Sequence, residues 1–81
     1  MTLELKLKKA MLTKAIELIV KNGKSPERCA RSLIELGKKA YPNTLSKTEL
    51  KVFSDQLTSL YNNNEIDMIQ KLFFSTFISE N

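Results

Sequence analysis

An all-α fold, a single small four-helix bundle with antiparallel or orthogonal packing, is predicted by three features of the 81-residue sequence. Apolar residues recur at spacings of three and four along most of the chain, which is the period of a helix with one buried face. The helix breakers Asn22-Gly23, Pro26, Pro42 and Asn62-Asn63-Asn64 fall between those periodic stretches. Helix-start signals, Ser25-Pro26-Glu27 and Ser46 with Glu49, follow directly after two of the breaks. These features divide residues 1–81 into helices over about 3–21, 26–40, 47–61 and 65–78 of one domain.

The first helix is the least regular. Met11, Leu12, Ala15, Ile16, Leu18 and Ile19 occupy an arc of about 180° on the wheel, opposite Lys9, Thr13, Lys14, Glu17 and Lys21. A wide apolar arc predicts more than one neighbour, so helix 1 is expected at the centre of the bundle or in a dimer interface. Glu4 and Lys8 fall inside that arc, and Leu3, Leu5 and Leu7 alternate with period two. Both observations predict that the first turns fray, shift phase or run extended.

The second helix has the clearest limits. Asn22-Gly23 is a C-terminal signal, and Ser25, Pro26 and Glu27 read as N-cap, first-turn proline and first-turn acid. Cys29, Ala30, Leu33, Ile34, Leu36, Gly37, Ala40 and Tyr41 share one side. The opposite side is charged, and Glu27 with Arg31, Arg31 with Glu35 and Glu35 with Lys39 are spaced to pair along the helix. Gly37 in mid-helix costs about 1 kcal/mol relative to Ala. With Cys29, Ala30 and Ala40 it predicts a small-residue surface that another helix approaches closely.

Ser46 and Glu49 form a capping box for helix 3, with Leu45 and Leu50 at the staple positions. Leu50, Phe53, Leu57, Leu60 and Tyr61 make a narrow stripe. Asn64 is expected to cap helix 4, with Glu65 and Asp67 in its first turn. Ile66, Ile69, Leu72, Phe73 and Phe77 form the inner face of that helix, while Phe74 and Ile78 project about 100° away from it.

Composition excludes several kinds of chemistry. The chain has no His and one Cys, which removes histidine acid–base catalysis, His/Cys metal sites and an internal disulfide. Two glycines are too few for most phosphate-cradling loops, and neither a P-loop nor a nucleophile elbow occurs. Asn63, Glu65 and Asp67 resemble the opening of a calcium loop, but Met68 and Phe74 stand where that loop needs Gly and an acid. No catalytic residue, cofactor or metal is expected. Cys29 lies beside Arg28, which would favour a reactive thiolate, but it shares the apolar side of its helix and is expected to be a small buried side chain.

The net charge of +4 is unevenly distributed. Residues 1–42 hold ten bases and four acids, giving +6; residues 43–81 hold three bases and five acids, giving −2. The halves are expected to attract each other or to guide an anionic partner. Lys6, Lys9, Lys14 and Lys21 on helix 1 form the candidate anion-facing surface, where phosphates could be contacted without sequence readout. Helix 2, Tyr41 to Ser46 and helix 3 can also be aligned with a helix-turn-helix, although the turn is long and helix 3 sets Lys47 and Lys51 against Glu49 and Asp55. No stretch has the roughly 20 apolar residues of a membrane span and no signal-peptide pattern opens the chain, so a cytoplasmic location is expected.

Phe74 and Ile78, four residues apart and off the inner face, are the candidate partner or oligomer interface. The other reading is that another segment, such as residues 2–8, wraps this turn.

Two local resemblances point to different families. Ser25-Pro26-Glu27-Arg28-Cys29-Ala30-Arg31, followed by a second amphipathic helix, resembles small four-helix bacteriocin immunity proteins. Leu45 to Phe53 is similar to a segment of small nucleoid-modulating helical proteins that bind a partner regulator rather than DNA directly. Each covers no more than about half the chain and transfers no functional residue. Both imply a small all-α protein acting through protein contacts. The expected function is therefore a non-enzymatic interaction or regulatory protein, homodimeric and bound to another protein, with a small nucleic-acid-binding regulator as the alternative.

Overall fold

The computed structural model describes residues 3–42 and 45–78. Four helices follow one another: α1 Leu3–Asn22, α2 Pro26–Ala40, α3 Lys47–Asn62 and α4 Ile66–Phe77. Among the described residues there is no strand, and the four helices pack into one all-α domain.

Local chemistry sets most of the boundaries. The Ser25 hydroxyl accepts from the Arg28 N–H at 3.2 Å with Pro26 in the first turn of α2. The α3 capping box is complete: Ser46 Oγ accepts from the Glu49 N–H at 3.1 Å, and Glu49 Oε1 accepts from the Ser46 N–H at 2.9 Å. These bonds satisfy donors that a helix start otherwise leaves orphaned.

Asn64 plays a different part from the one expected. It does not cap α4, whose N-cap is Glu65 without a side-chain capping bond. Asn64 instead takes a left-handed conformation, φ 57°, and ends α3. Its N–H donates to Tyr61 O and that of Glu65 to Leu60 O, both at 3.0 Å, which is the Schellman pairing. Asn is the residue after Gly best suited to that conformation, so the asparagine run is a terminator of one helix rather than an initiator of the next.

The core is built chiefly by α2, α3 and α4. Phe53, Phe73 and Phe77 are fully buried, with Phe77 edge-on to Phe53 at 5.5 Å and tilted on Phe73 at 4.9 Å between ring centroids. Leu33, Leu57, Ile69 and Cys29 close around them. The close approach expected at Gly37 is made by a ring: a Cβ there would stand 2.5 Å from the nearest Phe77 ring carbon. The missing side chain is the seat of Phe77.

Helix α1 is not central. It packs on α2 and α4 and scarcely touches α3. Its buried residues are Leu12, Ile16 and Val20, a narrow stripe flanked by the partly buried Ile19. The expected wide arc was the sum of two faces, of which this is one. Nor are its first described turns extended, since the helix is continuous from Leu3. Lys8, the cation inside the apolar arc, points at the end of α2: its ammonium donates to Ala40 O and lies 4.3 Å from the Tyr41 ring centroid. A cation at a helix C-terminus meets both unpaired carbonyls and the negative end of the macrodipole.

Charge does not join the halves. Among the described residues the ion pairs are those of Glu17 with Lys14 and Lys21, inside α1. The expected pairs along α2 are not formed. Exposed pairs are worth little, and these side chains are exposed to water. The two halves meet through apolar contacts and through the neutral hydrogen bonds of Tyr61 Oη to Gly23 O and Gln70 Nε2 to Thr13 O.

Candidate interaction surfaces

Phe74 and Ile78 lie in the seam between α4 and α1, and both are half-buried. The Phe74 ring stands edge-on to Phe73, 5.4 Å between centroids, and the Lys9 ammonium lies 5.2 Å from its own centroid. Beside it Gln70 Nε2 donates to Thr13 O at 3.1 Å, fixing α4 against α1. Lys9, Thr13, Asp67, Lys71, Phe74 and Ile78 line an open groove of about 650 Å³ along this seam. The structure thus joins one of the candidate cations, Lys9, to the candidate apolar pair. It also places α1 where a wrapping segment was considered, at Lys9 and Thr13.

The other three candidate cations are differently engaged. Lys14 and Lys21 both turn to Glu17, at 3.7 Å and 2.8 Å. Lys21's hydrogen bond first, and then the two ammonium charges, hold the Glu17 carboxyl below its ordinary range. Lys6 is exposed. The helix-turn-helix alignment depends on a turn that includes residues 43 and 44, which lie outside the described residues.

Cys29 is buried, and burial pushes its thiol pKa up. A neutral, enclosed thiol is a poor nucleophile. Among the described residues no polar or charged side chain is buried, and no three Cys, Asp or Glu converge as metal ligands. No described helix is long and apolar enough to cross a membrane.

The most unusual surface is the outer face of α1. Leu3, Leu7, Met11 and Leu18 are 72%, 56%, 73% and 49% exposed. At 100° per residue they fall within about 80° of one another, roughly opposite Leu12, Ile16 and Val20. Among the described residues the other comparably exposed large apolar side chains are Leu5, 51% exposed on the inward side of the first turns of α1, Val52 on α3 and Met68 on α4, and isolated apolar residues are ordinary on a protein surface. A contiguous stripe is not. On the wheel Met11 and Leu18 belong to one wide apolar arc, which fits either a central helix or a dimer interface; the signal that separates the two faces is the inward i, i+4, i+8 row of Leu12, Ile16 and Val20.

No family model, curated protein or solved structure matches the chain. Its surfaces are therefore read from their own chemistry.

Proposed function

We propose that this protein is a non-enzymatic interaction or regulatory protein that self-associates and works by binding another protein. The observation that carries the reading is the second apolar face of α1: a helix with one covered stripe and one bare stripe has an unfilled place for another helix. The Phe74 and Ile78 seam lies beside α1 and offers a mixed apolar and charged groove as a second contact. A cytoplasmic setting accords with these surfaces.

The test is a Leu7→Glu, Met11→Glu variant. Both side chains are already in water, so the unfolding free energy is expected to stay within about 0.5 kcal/mol of wild type. Binding of protein partners from a native lysate, read by mass spectrometry, is expected to be lost. Retention of every partner by the folded variant would defeat the reading.

Nucleic-acid binding is the second reading, favoured by the exposed Arg28, Arg31, Lys38 and Lys39 of α2, which form no ion pair among the described residues. It requires duplex retention in a gel shift at low salt and steep loss as salt rises. No retention at low salt removes it.

A further inference from the structure

We infer that the outer face of α1 docks on the same face of a second copy of this chain, with the two helices antiparallel. The inference rests on the reading of that face as a docking surface and names its occupant. Glu4, Leu7, Met11, Lys14, Leu18 and Lys21 follow one another at alternating steps of three and four, the spacing of a two-helix seam, and all six are exposed.

The order of these residues decides the direction. Turned end for end on itself, the row sets Glu4 opposite Lys21, Leu7 opposite Leu18, and Met11 opposite Lys14 of the second copy. Each layer is complementary. Leucine meets leucine, acid meets base, and the thioether packs along the methylene stem of a lysine whose ammonium is held by Glu17 of its own helix. A parallel pairing would set Glu4 on Glu4, Lys14 on Lys14 and Lys21 on Lys21, like charge on like charge in three of six layers. Glu4 forms no ion pair among the described residues, so it is available to Lys21 of the second copy, whose ammonium, 2.8 Å from Glu17 of its own helix, would then be shared between the two carboxylates. Ala10 and Ala15 flank the row and let two helices approach closely.

The seam from Glu4 to Lys21 is about 27 Å long at 1.5 Å per residue. One helix face of that length buries an area at the low end for specific interfaces, below about 1,200 Å². The dimer is therefore of the weak, concentration-dependent kind.

Sedimentation equilibrium of the full chain from micromolar to millimolar concentration tests this. A monomer–dimer equilibrium is expected, and Leu7→Glu is expected to abolish it while leaving the helical circular dichroism unchanged. A charge cycle reads the direction without touching an apolar residue. Glu4→Lys alone and Lys21→Glu alone each turn two attractive layers repulsive and should weaken the dimer roughly tenfold, and the double variant should restore it. Equal affinities for all four chains would overturn the antiparallel arrangement. A dimer lost in Phe74→Glu, Ile78→Glu but kept in Leu7→Glu would move self-association to the α1–α4 seam and overturn the inference. A chain monomeric to millimolar that still loses a captured partner on Leu7→Glu, Met11→Glu would overturn the second copy while leaving the docking surface standing.

Discussion

Helix α1 and the α2–α4 unit are built on different plans. The three later helices interlock through volume: three phenylalanine rings meet at about 5 Å, and one of them fills the space left by Gly37. Helix α1 lies against this unit by a row of three buried aliphatic side chains with Ile19 beside it and is fixed at its edges by polar contacts, Lys8 to Ala40 O, Gln70 to Thr13 O, and Tyr61 Oη to Gly23 O. An interlocked core tolerates almost no change of shape, whereas a helix applied along one row keeps its other faces for use elsewhere.

The largest effect should come from breaking the interlock. Phe77→Ala removes a ring from the centre of the aromatic cluster and is expected to cost about 3–5 kcal/mol, read as a fall in the urea midpoint. Ile16→Ala should cost about 2 kcal/mol, the low end for a buried aliphatic, because α1 can settle onto the smaller side chain. It should also speed thiol labelling of Cys29 under native conditions, since Cys29 shares with Ile19, Asn22 and Gly23 the cleft where α1 ends against α2. Equal labelling rates in the two variants would erase the distinction between frame and applied helix.

A smaller effect sharpens the account of Gly37. Gly37→Ala gains up to about 1 kcal/mol of helix propensity but drives a methyl into Phe77, an overpacking of about 1–3 kcal/mol. The net result should be a loss of about 1 kcal/mol, and a variant more stable than wild type would show that Phe77 can step aside.

The smallest effect concerns the α3 start. The backbone and side-chain hydrogen bonds of Ser46 hold the Glu49 carboxyl below its ordinary value of 4.5. A carboxyl depressed on folding contributes stability that is present above its unfolded pKa and is lost as pH falls through the folded one. Glu49→Gln keeps the capping geometry without the titration. Its melting temperature should therefore fall less than that of wild type between pH 5 and pH 3.

What the sequence made legible follows the range of each signal. The Ser25 cap and the Ser46–Glu49 box use atoms three residues apart, and they appear in the structure as read. Asn64 was misread because its left-handed backbone serves the helix behind it, and Asn is suited to both kinds of helix end. The position of α1 depended on which face its neighbours would cover, and a wheel drawn for one helix carries no such information. The candidate surfaces divide in the same way: Phe74 and Ile78 were visible as residues off the inner face, but the seam that gathers them with Lys9 needs two helices distant in sequence. The bare row from Leu3 to Leu18 became visible only when Leu12, Ile16 and Val20 were seen to suffice inward.

The applied position of α1 also has a consequence in time. Its seat is formed in part by α4, and Phe77 is made 57 residues after Val20, which at ordinary rates of synthesis takes roughly 3–10 s. For that interval the nascent chain has only α2 to cover the inward row of α1, and the outward row is still open when α4 completes the seat.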